Sequence, residues 1–365
     1  MSRPAKIIID LAAIQANFRL AHTLAPHSKT VAVVKADAYG HGAVEVTKAL
    51  EPQVDMFTVS CLEEALVLRE NGLKKPILLL EGCFDVSEVK IALDNQCELV
   101  VHSHLQLEQL LNTRLETPLN IWLKIDTGMH RLGFLPQEVE SIYAKLAGSS
   151  NVNKIVLMTH FAHADDVDGA HTAMQISRFK TCIAAIVVNA NQKATLSMAN
   201  SAALLAWHQT RVDWNRPGIM LYGLSPFDKP IDAATALIPA MHFESQVIAL
   251  REILTGESVG YGCTWTAQRP SVIATIAVGY GDGYPRSAKS GTPVLINGYR
   301  APLVGRVSMD LISVDVTDLA NVNIGDSAIL WGKDLSVNEV ASWADTIGYE
   351  LVTRMPRRVT RHFVK

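Results

Sequence analysis

Lys35 stands where an apolar run stops: residues 30–42 read TVAVVKADAYGHG. Four apolar residues, Val31 to Val34, lead into it, and Tyr39-Gly40-His41-Gly42 follows within a few positions. An unbroken run of this kind suggests a strand buried on both faces, as in a parallel sheet. The two glycines mean that the backbone turns sharply or lets another group approach closely. A lysine amine becomes a nucleophile or base only when neutral, so it must be desolvated or held near another cation. The mouth of a barrel or an open sheet supplies that setting, and α/β enzymes keep their chemistry there. Local pattern alone also fits a solvated lysine at a strand end.

Further stretches repeat the theme. Asn120–Gly133 reads NIWLKIDTGMHRLG, an apolar strand that again ends in charge and glycine, with Lys124, Asp126 and Arg131 close together. Thr159-His160-Phe161-Ala162 closes another strand, and a lone histidine there reads first as a satisfied polar core residue. Ala199-Asn200-Ser201-Ala202 sits at a strand end and can open a helix, where a hydroxyl and free N–H groups make an anion site. Asn215-Arg216-Pro217-Gly218-Ile219 adds an arginine, a cation that is effectively never deprotonated. Tyr261 lies between two glycines in Ser258-Val259-Gly260-Tyr261-Gly262, which on pattern alone reads as a hairpin-turn tyrosine. A phenol with its ordinary pKa near ~10 is a poor base at neutral pH and needs a cationic neighbour to serve as one.

These residues need elements to hold them. From about residue 30 to 223, strand-like runs alternate with helical patterns: Val31–Lys35, Met56–Ser60, Pro76–Leu80, Glu98–Val101, Asn120–Ile125, Lys154–Thr159, Ala194–Met198 and Asn215–Tyr222. Eight such runs predict a closed (β/α)8 TIM-type barrel, an α/β fold. Helices are expected over Ala12–Leu24, over Glu63–Asn71 stopped by Gly72, over Asp85–Asn95, and from Pro136 through Leu146. Lys6–Ile9 is a ninth strand-like run with no place in the barrel, and we expect it to pair with a second domain. After Ser225-Pro226-Phe227-Asp228 the runs become short, β-rich and broken by Gly or Pro: Gln246–Leu250, Val272–Val278, Pro293–Ile296, Leu303–Val307, Ile312–Val316 and Ala328–Trp331, with one helix near Ser336–Ile347. The predicted domains are residues 1–230 for the barrel and 231–365 for a mostly-β domain.

Composition narrows the classes. Hydrophobic residues are 48% and charged residues 19%, enough for a large core and against disorder. The net charge is −3, without a basic patch interleaved with aromatics, so nucleic acid is not an expected partner. Asp10 interrupts the apolar run that starts at Ile7, which does not fit a signal peptide, and the stretch near Ile183–Val188 is too short to span a bilayer. Five cysteines without a C-x-x-C pair suggest neither a disulfide framework nor a zinc site, and Cys263 reads as a small apolar filler. The expectation is a reduced, cytoplasmic protein without a metal or a membrane partner.

The octet Lys35-Ala36-Asp37-Ala38-Tyr39-Gly40-His41-Gly42 resembles the pyridoxal-phosphate lysine motif of the alanine racemases. The K-x-D-T-G-M-x-R-x-G pattern around Lys124 and Arg131, the G-Y-G at Tyr261, Gly279–Tyr284, Gly305–Asp310 and Gly348-Tyr349-Glu350 match that family too, so the resemblance runs from residue 35 to 350. It implies fold type III, pyridoxal 5'-phosphate as cofactor, and a homodimer with shared active sites. Lys35 would then carry the cofactor as a Schiff base and act as one base on the substrate, with Tyr261 of the partner subunit as the other. Two bases on opposite faces of Cα meet the need of racemisation. Tyr39, Ser201, Gly218, Ile219 and Tyr349 would contact the phosphate. Arg131 would bind the phenolic oxygen and Arg216 the pyridine nitrogen, with His160 orienting Arg216. Tyr280, Met309 and Asp310, again from the partner, would line the substrate entrance and carboxylate pocket.

Lys124 matches a lysine that many members carry as a carbamate paired with the arginine; an unmodified Lys124 paired with Asp126 is the alternative. Ser197 departs from the pattern, since many relatives have histidine there. The implied activity is interconversion of L- and D-alanine, supplying D-alanine for peptidoglycan, with a broader or serine-directed racemase as the alternative. A decarboxylase of the same fold needs an acid where Arg216 stands, and a pyridoxal-phosphate carrier protein would lack the second domain.

Overall fold

The computed structural model describes residues 3–190 and 194–365. The chain enters through β1 (Lys6–Asp10), with Ile7 and Ile9 fully buried. Asp10 then caps the helix Leu11–Leu24, its carboxylate accepting the Ala13 N–H at 2.8 Å.

A closed parallel barrel follows. Its strands are β2 (Lys29–Val33), β3 (Met56–Val59), β4 (Ile77–Leu79), β5 (Cys97–Val101), β6 (Leu119–Lys124), β7 (Val152–Met158), β8 (Thr195–Ser197) and β9 (Trp214–Asn215), and β9 returns to β2 with Asn215 opposite Thr30. Val31, Met56, Leu78, Val100, Trp122 and Val156 belong to a separate buried cluster, the side-chain layer that fills a small barrel. Around it, helices such as Leu62–Glu70 and Val86–Asp94 present apolar faces to the strands, the second capped by Asp85 on the Ser87 N–H. The apolar stretch Ile183–Val188 falls in the helix Ala170–Ala190, whose side chains are described only as far as Ile186.

Three local expectations are corrected. The last barrel run, expected over Asn215–Tyr222, is a strand only at Trp214–Asn215; Pro217 has no N–H to give, and Ile219–Tyr222 coils into a 3-10 turn ended by Gly223 at φ +77°. The helix expected from Pro136 begins at Val139, because Glu138 folds back to accept the Leu135 N–H at 2.9 Å. Leu303–Val307 is not a strand: only Leu303 bridges Val314, and Gly305 at φ +72° breaks the run.

The second unit is mostly β. It holds β10 (Met241–Ile253), β11 (Ser258–Val259), β12 (Trp265–Thr266), β13 (Ser271–Ile276), β14 (Pro293–Ile296), β15 (Tyr299–Pro302), β16 (Ile312–Asp315), β17 (Ser327–Trp331) and β18 (Thr360–Val364). The main sheet runs β15-β14-β17-β10-β1-β18, with β13 joined to β10 and to β16. β1 therefore lies in this sheet, antiparallel to β10 and parallel to β18. β11 and β12 form a separate hairpin. The helices Val337–Trp343 and Gly348–Thr353 lie between β17 and β18. Among the described residues no helix is long and apolar enough to cross a membrane.

Candidate active site

Lys35 leaves the mouth of β2 and opens a turn of the wrong hand. Ala36, Asp37, Ala38 and Tyr39 all have φ between 52° and 54°, and Gly40 follows at 79°. Each non-glycine residue held this way costs roughly 1–2 kcal/mol, so the surroundings must fix it. Glu64 accepts the Ala36 N–H at 2.7 Å. Asp37 accepts the Ala43 N–H at 2.8 Å and pairs with Arg361 at 3.2 Å. Arg361, from β18, also donates to the Gly40 carbonyl at 3.0 Å. His41 is fully buried, and its Nδ1 donates to the Tyr39 and Ala38 carbonyls at 2.9 and 3.1 Å while its ring stacks on Tyr222 at 4.4 Å. Burial holds His41 down to about 4, so it stays neutral. At Gly40 a Cβ would lie 1.9 Å from the Val352 carbonyl oxygen, so no side chain fits.

Beside this turn several cations converge. Lys124, the last residue of β6, is 7% exposed. Burial, then the charges of Arg216, Arg131 and Lys35, push it down to about 7 against the pull of Asp126. The alternative pairing of Lys124 with Asp126 is not formed: one Asp126 oxygen accepts the N–H groups of Gly128, Met129 and His130, and the other faces His130 at 3.3 Å. Arg216 is 4% exposed and donates to the Ser197 hydroxyl, to the Thr159 carbonyl at 2.7 Å and to the Met198 carbonyl at 3.3 Å; it meets His160 Nδ1 at 3.4 Å. Burial lowers Arg216 to about 10, a value at which it remains a cation at neutral pH. Burial and these same cations hold His160 well below its ordinary value, so the ring is neutral and can accept from Arg216. Ser197 is thus a direct partner of Arg216.

An anion cradle lies on the Tyr39 side. A Cβ on Gly218 would stand 2.8 Å from the Tyr39 hydroxyl, so the glycine lets the phenol lie against the backbone. The Gly218 N–H, expected to contact the phosphate, donates in this structure to Ser201 Oγ at 2.8 Å; Met220 N–H does so at 3.3 Å. Ile219 opens the 3-10 turn, so its N–H has no acceptor inside that turn. Tyr349 packs its ring 6.3 Å from that of Tyr39. Burial pushes Tyr39 up to about 12, and burial with the Tyr39 neighbour raises Tyr349 as well; both phenols stay protonated as donors. Buried hydroxyls, a glycine turn and the cations together fit a phosphorylated, conjugated cofactor such as pyridoxal phosphate. Among the described residues no cluster of His, Cys, Asp or Glu is built to hold a metal.

The remaining predicted residues lie elsewhere. Tyr261 stands at the tip of the β11–β12 hairpin, 72% exposed. Tyr280 and Met309 are also exposed and share a seam, the Tyr280 N–H donating to the Ser308 carbonyl at 3.0 Å. Among the described residues no hydrogen bond or ring contact joins the Tyr261 side chain to the Lys35 group. Cys263 is exposed at φ 47° and does not fill a core. Sequence reasoning missed Glu64, Arg361 and the positioning role of His41. Only the spacing of His41 within the octet hinted at any of them.

Two sequence models cover nearly the whole chain: that of the alanine racemase N-terminal domain matches residues 9–226, and that of the C-terminal domain residues 240–363. An alanine racemase of Pseudoalteromonas atlantica is 52% identical over all of both chains. The biosynthetic alanine racemase of Pseudomonas aeruginosa is 46% identical, with all of both chains covered and a TM-score of 0.94 to its crystal structure. An alanine racemase from Bacillus anthracis, solved with bound L-Ala-P, is 30% identical with a TM-score of 0.87, over 100% of this chain and 96% of that one. The chain belongs to the alanine racemase family of isomerases.

Proposed function

We propose that this protein interconverts L- and D-alanine with pyridoxal 5'-phosphate, two copies sharing each site. The single observation that supports it most is the barrel mouth, where Lys35, Lys124, Arg131 and Arg216 act on one another beside the Tyr39–Gly218 cradle. Lys35 would hold the cofactor covalently, Arg131 its phenolic oxygen and Arg216 its ring nitrogen. Tyr39, Ser201, Gly218, Ile219 and Tyr349 would hold the phosphate. When bound, the cofactor supplies the conjugated ring that makes the Cα–H of an amino acid acidic.

The chain's own groups then move the proton. By family analogy the partner subunit's Tyr261 takes it from L-alanine and Lys35 returns one to the opposite face; D-alanine runs the pair in reverse. One proton leaves Cα and one arrives, so nothing is oxidised or reduced. Arg216 remains a buried cation held by three oxygens and His160, so it would donate a hydrogen bond to the ring nitrogen without giving up a proton. A carboxylate at that place would stabilise a longer-lived carbanion and favour side reactions. Lys124, with its amine near half neutral at pH 7, is suited to take up carbon dioxide. Its nitrogen would bond the carbon and lose a proton, giving an anion that pairs bidentately with Arg131.

Tyr261, Tyr280, Met309 and Asp310 project from the β domain and complete the site of a second copy. The proposed use of the product is cell-wall peptidoglycan. A strain that lacks this protein as well as any other racemase and still grows without added D-alanine overturns that part. Incubation with L-alanine in deuterated water tests the activity itself. Deuterium at Cα and formation of D-alanine are expected; release of carbon dioxide, or no exchange, overturns it. A serine arm in the same assay decides substrate breadth.

A further inference from the structure

Tyr280 and Met309 stand on two backbone segments bonded to each other, with Tyr280 N–H to the Ser308 carbonyl at 3.0 Å and Gly281 N–H to the Met309 carbonyl at 2.8 Å. Behind that seam lies Asp282, a carboxylate with no exposed surface. Its Oδ2 accepts from the Gly279 N–H at 2.9 Å and from Arg3 at 2.6 Å. Its Oδ1 accepts from Arg3 Nε at 3.2 Å and pairs with Arg358 Nε at 2.9 Å. Both arginines then reach Asp310: Arg358 to its carboxylate at 2.6 Å, Arg3 to its carbonyl at 2.6 Å. Two guanidiniums and two carboxylates balance, which is the condition for keeping a carboxylate away from water. The planar fork of arginine can serve two acceptors at once, which a lysine ammonium does not do with fixed geometry. Arg3 precedes β1 and Arg358 precedes β18, so both ends of the chain brace the same loop pair.

We propose that Asp282, bridged by Arg3 and Arg358, is a positioning residue that fixes the Tyr280 and Met309–Asp310 loops for the site of the partner subunit. It touches neither substrate nor cofactor and acts through those loops. The inference rests on the reading that two copies share each site.

Differently tagged Lys35→Ala and Tyr261→Ala chains, coexpressed with pyridoxal phosphate, give a hybrid dimer with one working site. That site takes Lys35 from the Tyr261→Ala chain and Tyr261, Tyr280 and Met309 from the Lys35→Ala chain. Asp282→Asn is then placed on either chain. On the Lys35→Ala chain it should lower kcat/KM for L-alanine about 10–100-fold, mainly through KM. On the Tyr261→Ala chain it should leave kcat/KM within about twofold of the parent hybrid. The two hybrids carry the same number of substituted chains, so a purely structural role weakens them equally. Equal loss in both placements, or loss in neither, overturns the proposal. Arg3→Ala, whose side chain is 33% exposed, runs the same comparison where Asp282→Asn does not fold. An inactive parent hybrid overturns the shared-site reading itself, a result distinct from either failure above.

Discussion

The barrel mouth and the β-domain loops carry functional residues in opposite ways. At the mouth, Lys35 sits on a turn fixed by Glu64, Asp37, Arg361 and His41, and its neighbours Lys124 and Arg216 are buried. At the β-domain tip, Tyr261 is 72% exposed, and among the described residues its hydroxyl has no partner. A strained turn persists only where the fold over-determines it. Tyr280, 40% exposed, shares a seam with Met309, 54% exposed, and large exposed apolar groups of this kind are what an interface uses. One region is held by contacts within the chain; the other gains a role only on the proposed reading that a second copy shares the site.

The contrast is most sharply tested at its two extremes. Lys35→Ala should reduce turnover by at least about 10³-fold and abolish the absorbance of bound pyridoxal phosphate, because the nucleophile and one base are lost together. A variant that keeps either signal breaks the assignment of the mouth. Tyr261→Phe should lower turnover about 10²-fold or more while cofactor absorbance stays and the melting temperature moves by no more than a surface substitution would. A large drop in melting temperature would show that Tyr261 is structural after all.

Two left-handed glycines sharpen the same contrast energetically. Gly40 has φ +79° and a backbone carbonyl 1.9 Å from where a Cβ would lie; Gly262 has φ +73°, and the nearest atoms to a Cβ there belong to the Arg306 side chain, at 3.3 Å. Gly40→Ala combines strain with a clash that the packed backbone cannot relieve and should cost about 3 kcal/mol in denaturant unfolding. Gly262→Ala meets a flexible neighbour and should cost about 1 kcal/mol. Equal values for the two would mean that the mouth is no more constrained than the loop.

Much of the mouth was legible because it is local. Four buried residues before Lys35 and glycines after it mark a strand end, and eight such runs imply the barrel. The wrong-handed turn was not legible: alanines give no sign of positive φ, and the groups that enforce it come from far away. Glu64 is 28 residues from Ala36, and Arg361 is 321 residues from Gly40. The pairing of Ser197 with Arg216 crosses between barrel strands, so only the folded register reveals it. Tyr261 was legible only by family resemblance, since a tyrosine between glycines carries no local sign of a partner across an interface.

The smallest expected effect concerns protons at the mouth. Lys124 titrates near 7 in the fold and near the ordinary lysine value of 10.5 once unfolded. Between those values the unfolded chain binds the extra proton, so stability rises with pH across the window. Below about pH 7 both states are protonated and the full penalty of a buried ammonium remains. Other groups titrate as well, so the quantity to measure is the difference between the parent and Lys124→Met, an apolar side chain of similar length. In carbon-dioxide-free buffer the melting temperature of the parent should climb relative to that of Lys124→Met from pH 7 to pH 10. Added bicarbonate should flatten the difference, because a carbamate removes the titrating amine and gives Arg131 an anion. No relative climb would mean that Lys124 finds its counter-charge within the chain, and the mouth would lose the unbalanced positive charge that sets it apart from the loops.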